Sequence, residues 1–464
     1  MPVTPATCEA MEHLWRLDED IVPVHTHDDR SFLMDVADGR REVLSGPREA
    51  AERVLRRTPV SRRSVLAGMA ACGALTMVDP RPRYAFAAEP TGGRDVLVVV
   101  FLRGGMDGLQ AVVPYGDPAY ATARPTLAIK QRDLVILDER FGLHPKLAPL
   151  KPLWDARQLA IVPAVGNPAA NRSHFDAQLA AERAAPAQVR SGWVGRHLSA
   201  AAAGTDLTRA VTFGDRAAVA ATGGFPTAAI GGELTDFEVW AWEGFHTQVG
   251  QTLRALADSA GGPVAEGTRG AFAGIAALAG ARATSEQPSG GATYPDGTFG
   301  RGLREAARII RSGAPVEVVC LDLGDWDMHA RQGGPFEEWG WMARKLTELA
   351  EGLAAFRTDL GEAWARTSLV TMSEFGRRVA ENSSGGSDHG SGGVMFVAGG
   401  GIRGGLYGTW PGLSPSQLKD GDVAIGTDYR QVLAEVLTAR VGGSSVSSVF
   451  PGLSPAPLGL AVPR

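Results

Sequence analysis

Carboxylates and imidazoles are concentrated at two points of this 464-residue chain, which contains only 9 histidines. Asp325, Asp327 and His329 lie close together, and the pair Asp388 and His389 stands in a glycine-rich stretch. Carboxylate and imidazole groups together suit a divalent ion such as Zn²⁺ or Mn²⁺. A turn or short helical segment would place positions i and i+4 on one side, so Asp325 and His329 could share an ion. A polar loop with a helix-capping aspartate is the alternative interpretation.

A serine and a histidine follow one another at positions 173 and 174. Ser173 could act as a nucleophile and His174 as a base or metal ligand. Adjacent residues rarely form a catalytic hydrogen-bonded pair, so the sequence does not indicate a triad. Ser173 also suits the N-cap of a helix predicted over residues 174–184, and the two roles are compatible. Arg103 and Arg377 are candidate clamps for phosphate or sulfate, with ordinary ion pairing as the alternative.

Continuous apolar runs predict β-strands that are buried on both faces, as in a parallel sheet. Helical patterns between several of the runs indicate an α/β sandwich. In such sheets the ligand site lies beyond the carboxyl ends of the strands. The candidate residues, with Asp107 and Glu374 among them, stand at the ends of these runs, so we expect one crevice to collect them. The predicted strands are 95–102, 159–165, 210–213, 316–323, 368–372 and 394–398; the predicted helices are 303–310, 337–356 and 428–439; and 284–300 is predicted to be an exposed loop or lid.

The amino-terminal part resembles an export signal. Arg62 and Arg63 directly precede the modest apolar run 64–78, and Ala85 and Ala87 fit a signal-peptidase site. We therefore expect a leader with a twin-arginine signal over 1–87 and a single domain over 88–464. This predicts export by the twin-arginine translocation machinery to the periplasm, the cell envelope or the extracellular space. A basic helix end before a buried helix is the alternative.

Composition limits the class of protein. Apolar residues make up 44% and charged residues 21% of the chain, as in an average globular protein. This excludes a largely disordered chain and a membrane-embedded bundle. The net charge of −5 argues against a nucleic-acid-binding surface. No membrane span is expected in the mature chain, because the 64–78 run falls short of the roughly 20 apolar residues that a spanning helix needs.

An ordered set of motifs carries a family resemblance. Together with the twin-arginine signal, the motifs resemble the large bacterial family of exported proteins known as domain of unknown function 1501. That family is considered similar to the alkaline phosphatase and sulfatase superfamily. The resemblance implies an alkaline-phosphatase-like α/β sandwich, with a central, mostly parallel sheet flanked by helices, and metal-assisted attack on a phosphate or sulfate ester. The motifs are FLRGGMDGL at 101–109, NRSHF at 171–175, DLGDWDMH at 322–329, MSEFGR at 372–377, SDHG at 387–390, TDYR at 427–430 and VFPG at 449–452.

The resemblance also implies a ligand set. Asp325 and His329 match the Asp-x-x-x-His of one metal site, and His389 stands where a later histidine completes it. A second metal is normally held by Asp-His-Gly, but here Glu374 and Phe375 occupy that place, and phenylalanine cannot bind a metal. One divalent ion (Zn²⁺, Mn²⁺ or Ca²⁺) is therefore favoured over two, and a site without metal is left open.

The remaining candidates have supporting roles. Arg103 stands where the first strand would normally end in a metal-binding aspartate, and Asp107 follows four residues later. Asp327 and Asp388 are included with Asp107 and Glu374 as candidate ligands or orienting groups, and Ser173 is the best match to the nucleophile. We expect an exported hydrolase of phosphate or sulfate esters, acting on a small anionic ester or a glycan. A non-catalytic binding or assembly protein of the envelope, built on a degenerate hydrolase fold, is the alternative.

Overall fold

The computed structural model describes residues 95–464 except 170, 202–206, 215–216, 226, 237–245, 260–261 and 338–339, and also three short strands near the amino terminus. Those strands, Ile21–His25, Ser31–Asp35 and Glu42–Val43, form one antiparallel sheet. The twin-arginine segment and the boundary after residue 87 lie outside the described residues, and both stay predictions. No helix of the described part is long and apolar enough to cross a membrane.

A mixed, mostly parallel sheet forms the centre of the fold. Its strands are β1 Val96–Leu102, β2 Leu159–Gly166, β3 Ala210–Phe213, β4 Ala228–Ile230, β5 Val318–Leu323, β6 Thr367–Met372, β7 Gly393–Gly399, β8 Gly405–Leu406 and β9 Thr427–Asp428. They lie in the order β4-β3-β5-β1-β6-β7-β2-β8, and β9 also pairs with β2. All described pairings are parallel except those of β7, which runs antiparallel to β6 and β2.

Helices cover both faces of this sheet. Side chains of β1 alternate between two buried clusters: Val98 and Val100 belong to one, Leu97 and Val99 to the other. This explains why β1 reads as an uninterrupted apolar run rather than an alternating one. Among the described residues, the helices of eight residues or more are α1 His174–Arg183, α2 Trp193–Ala200, α3 His246–Ser259, α4 Pro263–Ala277, α5 Thr298–Arg311, α6 Trp341–Leu360 and α7 Tyr429–Val436.

The two clusters use different helices. Apolar residues of α5 and α6 belong to the cluster that contains Val98, and those of α2 and α7 belong to the cluster that contains Leu97. The predicted α/β sandwich with a mostly parallel central sheet is therefore confirmed. The boundaries differ by a few residues: α6 begins at Trp341 rather than near 337, because Glu337 accepts a hydrogen bond from the backbone of Gly334 and closes a turn.

Shorter elements complete the described chain, which divides into two compact bodies: residues 1–75 with 238–269, and residues 76–237 with 270–464. Outside the central sheet, 112–113, 135–136 and 142–143 form a small sheet, and 418–419 pairs with 422–423. The short helices are Gly108–Ala111, Pro118–Ala123, Lys151–Asp155, Ala279–Ala283 and Val446–Val449; the 3-10 turns are Gln131–Asp133, Pro145–Leu150, Leu207–Arg209, Val219–Ala221, Leu234–Asp236, Ser289–Gly291, Gly361–Arg366 and Pro415–Gln417; and a π turn spans Leu437–Val441.

A buried histidine should make folding stability depend on pH. The side chain of His144 caps the turn Pro145–Leu150 by accepting from the backbone of Lys146, and burial lowers the pKa of His144 from 6.5 to about 3. Below pH 6.5 the unfolded chain takes up a proton that the folded chain does not, so stability falls as the pH drops. The comparison is with His144→Asn, which keeps a capping acceptor. Between pH 7 and pH 5 we expect the free energy of unfolding of the wild type to fall by about 2 kcal/mol more than that of the variant.

Urea unfolding at both pH values measures this difference. The variant removes core volume and will be weaker at pH 7 as well, so the comparison is between the two pH-dependent losses. Equal losses in wild type and variant would show that His144 is not the group responsible.

Candidate metal centre

The carboxyl ends of three neighbouring parallel strands lie side by side. In the register of the sheet, Leu323 of β5 pairs with Leu102 of β1, and Met372 of β6 pairs with Phe101. Strand β7 runs the other way, so its start at Gly393 lies at this same edge beside Val165 of β2. The segments that leave or enter these strands here carry almost all of the candidate residues, as the sequence predicts.

Residues 325–329 form an irregular segment instead of a helical turn. Trp326 and Met328 are buried in the core, so Asp325, Asp327 and His329 alternate with them on the exposed side. Exposed and buried positions therefore alternate along this segment every second residue. Asp327, rather than Asp325, is therefore the carboxylate that meets the histidines. The helical turn considered for Asp325 and His329 is not formed, and the role of Asp325 as a metal ligand stays a prediction.

Three histidines surround the carboxylate of Asp327. His329 Nε2 and His389 Nε2 each lie 3.2 Å from Asp327 Oδ1, and His174 Nε2 lies 3.3 Å from Oδ2. The Nε2 atoms of His329 and His389 are only 2.9 Å apart. We refer to His174, Asp327, His329 and His389 as the His-Asp cluster.

The far side of each imidazole ring is held by a hydrogen-bond acceptor. His174 Nδ1 lies 2.7 Å from Glu374 Oε1, and His329 Nδ1 lies 3.1 Å from Asp388 Oδ1. His389 Nδ1 lies 2.8 Å from the carbonyl oxygen of Arg172. Because carbonyl and carboxylate oxygens accept, each Nδ1 carries a proton, and in the neutral ring this leaves a lone pair on Nε2. Metal-binding histidines typically have this arrangement.

The donor set fits a divalent ion. Ligand atoms of His174, Asp327 and His389 all lie within 4.8 Å of one another. The lone pairs of His329 Nε2 and His389 Nε2 face each other at 2.9 Å, which is repulsive unless a cation or a shared proton lies between them. Within the described residues, His174 Nε2 is also buried without a hydrogen bond. Nitrogen and oxygen ligands of this kind suit Zn²⁺ or Mn²⁺ better than Ca²⁺, which prefers oxygen ligands.

Arg377 holds Asp327 from beneath. Its guanidinium is buried and donates from Nη2 to Asp327 Oδ1 at 2.8 Å, and its other donors bind the backbone carbonyls of Gly104, Gly105 and Ser387. Partial burial alone would raise the pKa of Asp327, but the contact with Arg377 lowers it to about 2. A direct role for Arg377 in anion binding, as the sequence predicts, would require these bonds to break.

Glu374 is fully buried behind His174. Its Oε1 accepts from Gly104 N, Gln178 Nε2 and His174 Nδ1, and its Oε2 accepts from the hydroxyl of Ser373. Burial would raise the pKa of Glu374, but the hydrogen bonds from Gln178 and His174 lower it. In this position Glu374 orients His174 instead of lying among the grouped ligand atoms.

Asp388 has the same relation to His329. Its Oδ1 accepts from Asn382 Nδ2 at 3.0 Å and lies 3.1 Å from His329 Nδ1. These two hydrogen bonds lower the pKa of Asp388. Asn382 also donates to the backbone carbonyl of His329, so it fixes both partners.

Asp107 lies in a buried polar network outside the His-Asp cluster. It caps the helix Gly108–Ala111, and its Oδ2 accepts from Arg124 and Gln332 at 2.6 Å each. Burial would raise the pKa of Asp107, but the ion pair with Arg124 lowers it. Ser387 joins this network, so Asp107 links the segment after His329 to the segment before Asp388.

Arg103 and Asp325 also lie apart from the grouped ligand atoms. Arg103 forms ion pairs with Asp322 at 2.7 Å and with Glu182 at 3.2 Å. Asp325 is exposed in the left-handed region at φ 67°, and its carboxylate has no hydrogen bond or ion pair in the described part of the chain. The roles that the sequence predicts for both residues stay predictions.

Ser173 occupies the N-cap position of α1 but does not cap it. Its hydroxyl makes no capping hydrogen bond and has no other partner among the described residues. Asn171 Oδ1 instead accepts from the Ser173 backbone N–H at 2.9 Å. The oxygen of Ser173 is thus left free, directly before His174, at the positive end of a ten-residue helix.

Close packing of loops explains some of the glycines. Gly104 has φ 119°, and a Cβ there would lie 2.5 Å from the backbone nitrogen of Asp327. At Gly390 a Cβ would lie 2.4 Å from the backbone of Arg377. Larger residues would force the segments that carry Asp327 and His389 away from their neighbours.

Sequence reasoning missed several contributors. Gln178 lies one turn after His174 in the predicted helix, so its i+4 spacing could have revealed the contact with Glu374. Arg172 stands in the NRSHF motif, but the use of its carbonyl by His389 has no counterpart in the sequence. Asp422, which binds Arg172 at 2.7 Å and Ser391 at 2.8 Å, has no local signal at all.

These observations define an α/β protein with a cluster of three histidines and one aspartate at the carboxyl edge of its sheet. The chain belongs to the family described as Protein of unknown function (DUF1501), whose model matches residues 163–439. This match includes every member of the His-Asp cluster and confirms the resemblance expected from the motifs. No curated protein sequence matches the chain.

The chain is also similar to solved structures. One is Ps i-CgsB in complex with k-i-k-neocarrahexaose, with 12% identity, a TM-score of 0.31, and coverage of 76% of this chain and 73% of that chain. Another is the lipoteichoic acid synthase LtaP from Listeria monocytogenes, with 8% identity, a TM-score of 0.30, and coverage of 78% and 76%. A third is BT1596, a 2-O GAG sulfatase, with 9% identity, a TM-score of 0.30, and coverage of 67% and 65%. Likenesses of this size carry no argument about activity.

Proposed function

We propose that this protein is a metal-dependent hydrolase of phosphate or sulfate esters. The observation that carries the proposal is the His-Asp cluster, in which three Nε2 atoms meet one carboxylate while each Nδ1 is held by an acceptor. His174, Asp327 and His389, with His329 beside them, would hold the ion. A bound divalent ion would supply positive charge that withdraws electrons from an ester oxygen.

Ser173 is the proposed nucleophile. Its hydroxyl is not used for capping, and its Cα is about 3.8 Å from that of His174 because the two are consecutive. Attack by Oγ forms a bond to phosphorus or sulfur, and the bond to the alcohol breaks as the alcohol leaves with a proton. Water then hydrolyses the serine ester and restores the hydroxyl. The positive end of α1 favours the anionic group during both steps.

The surrounding residues keep the cluster in position. Arg377 holds Asp327, Glu374 orients His174, and Asp388 orients His329. Because each ring is already fixed before the substrate binds, no free energy is needed to orient the rings during the reaction. In this proposal none of the three contacts the substrate.

A binding protein without turnover is the second candidate. Phe375 packs against the rings of His174 and His389, with centroids 4.8 and 4.7 Å apart, at the place where the resemblance implies a second metal ligand. An apolar ring there favours a single ion and the loss of two-metal chemistry. The same cluster would then bind an anion at the envelope without hydrolysing it.

The proposal includes export by the twin-arginine machinery, with the signal ending at Ala87. The Arg62 and Arg63 pair and the small residues at 85 and 87 support it. Within the proposal, the substrate is a small anionic ester or glycan outside the cytoplasm, not a nucleic acid.

Metal dependence tests the function. We expect the purified full chain to bind about one equivalent of Zn²⁺ or Mn²⁺ and to hydrolyse p-nitrophenyl phosphate or p-nitrophenyl sulfate. A chelator should abolish turnover, and added metal should restore it, because the cluster's lone pairs need a cation. Metal analysis and release of nitrophenol are the measurements. Bound ion without turnover on either ester supports the binding protein instead, and turnover that survives chelation contradicts the proposal.

A further inference from the structure

Large apolar side chains are exposed on the two segments that carry His174 and His329. In the described part of the chain, six large apolar side chains are exposed to solvent, and four of them lie on these two segments: Phe175, Leu179, Phe336 and Trp341. Single exposed apolar residues are ordinary on a protein surface, whereas exposed apolar residues that group around a polar site indicate a binding surface. We refer to these four side chains as the apolar rim.

The first half of the apolar rim lies on α1. Phe175 is 85% exposed and follows His174 directly, so their Cα atoms are about 3.8 Å apart. Leu179 is 37% exposed and comes one helical turn after Phe175, so the two side chains are neighbours on one face of the helix. His174 itself is turned inward to Glu374 and Asp327. Phe175 therefore presents its ring to solvent beside the His-Asp cluster.

The second half lies on a loop over 330–341, directly after His329. The backbone N–H of Met342 donates to the carbonyl of Gln332 at 3.1 Å, so the two ends of the loop meet. The N–H of Gln332 donates in turn to the carbonyl of Gly385 at 2.9 Å, in the segment that leads to Asp388 and His389. The base of the loop is therefore fixed to the parts of the chain that supply two members of the cluster.

Phe336 is the more exposed of the two apolar side chains on this loop. It is 64% exposed, whereas Trp341 is 44% exposed. The guanidinium carbon of Arg344 lies 5.1 Å from the centroid of the Trp341 ring, so part of that ring is already covered. Phe336 and Phe175 are thus the two most exposed members of the apolar rim, and they lie on different segments of the cluster.

The polarity of the rim indicates the kind of ligand that fits. The cluster with a bound divalent ion would take an anionic group, and the rim beside it would take hydrocarbon. Within the rim only the indole N–H of Trp341 can form a hydrogen bond, and Leu179 is aliphatic. Hydroxyl groups of a sugar would find few partners on such a surface. An alkyl chain, by contrast, gains binding free energy with each methylene group that it buries.

We propose that the apolar rim binds the alcohol part of the substrate, and that the protein prefers phosphate or sulfate esters whose alcohol carries an alkyl chain. The inference rests on the proposed function, because it places the ester group at the His-Asp cluster. Phe175 and Phe336 are the specificity-determining residues, because their rings are the most exposed and approach the ligand from two segments.

Two phosphonates that differ only in chain length test the rim without requiring turnover. With Zn²⁺ added, we expect the full chain to bind hexylphosphonate about tenfold more tightly than ethylphosphonate, because four further methylene groups are partly buried on the rim. Calorimetry measures both affinities. The double variant Phe175→Ser, Phe336→Ser should reduce the ratio to less than about twofold, since it removes the two most exposed apolar rings.

The matched control changes the two exposed apolar residues outside the rim. Ile136 is 42% exposed and lies in the small sheet, and Val462 is 36% exposed near the carboxyl terminus. The double variant Ile136→Ser, Val462→Ser should keep the tenfold ratio. Loss of the ratio in this control, or its persistence in the rim variant, would overturn the assignment.

Hydrolysis of hexyl phosphate and ethyl phosphate separates this inference from the proposed function. Release of phosphate should give a kcat/KM about tenfold higher for the hexyl ester. If the phosphonate ratio is found and is lost only in the rim variant, but neither ester is hydrolysed, the rim is supported and the hydrolase is refuted. If both esters are hydrolysed but the two phosphonates bind equally, the rim is overturned and the hydrolase is supported.

Discussion

Asp327→Asn is expected to weaken metal binding by more than about 100-fold. Replacing even a residue that only hydrogen-bonds to a metal ligand typically lowers metal affinity 10- to 100-fold, and Asp327 is proposed as a ligand itself. The substitution keeps the size of the side chain and an oxygen that can accept from Arg377. It removes the negative charge that all three histidines approach. Competition with a chromophoric chelator measures the affinity, and a thermal melt checks that the variant is folded.

Asp325→Asn is the matched control. Asp325 has the spacing from His329 that the family resemblance implies, but its carboxylate is exposed and unpaired within the described structure. We expect its metal affinity to stay within about twofold of the wild type, since surface substitutions usually have small effects. The opposite ranking of the two variants would place the ion at Asp325 and refute the cluster as described.

Ser173→Ala is expected to lower turnover by on the order of 1,000-fold or more, as loss of a nucleophile does in other hydrolases. Metal affinity should be unchanged, because the hydroxyl is not among the grouped ligand atoms. Stability should also be nearly unchanged, since the hydroxyl makes no capping bond to α1. Rates on p-nitrophenyl esters, chelator competition and urea unfolding measure the three quantities.

A serine that does cap its helix provides the contrast. Ser445 caps the helix Val446–Val449 by accepting from the backbone of Ser448. Ser445→Ala should lower the free energy of unfolding by about 1 kcal/mol and leave turnover unaffected. Undiminished turnover in Ser173→Ala would remove Ser173 from the mechanism, whereas a large loss of stability there would show that it caps α1 after all.

Much of the scaffold could be predicted because local sequence dictates it. The run around Val98 is apolar at every position, and the strand around Val370 is buried at every position, as expected for strands covered on both faces. The helix after Ser173 begins where predicted, at His174. The alignment of the strand ends also follows from the parallel arrangement, so the convergence of motifs at one edge was foreseeable.

The roles of individual residues within the site could be predicted less well from the sequence. Glu374 and Arg377 belong to one short motif, but one orients His174 and the other holds Asp327. Arg103 lies near them, since its guanidinium contacts Gln178, but the same guanidinium forms ion pairs with Asp322 and Glu182. Residue type and spacing show that such groups are near a site, while hydrogen-bond partners far away in sequence decide which of them faces the ligand.

The sequence by itself determined the family, the α/β architecture and the edge of the sheet at which chemistry-bearing residues collect, because apolar periodicity and strand polarity are local properties. Only the tertiary structure decided that Asp327, rather than Asp325, meets His174, His329 and His389. Trp326 and Met328 are buried in the core, so Asp327 between them is turned to the exposed side, where the histidines lie.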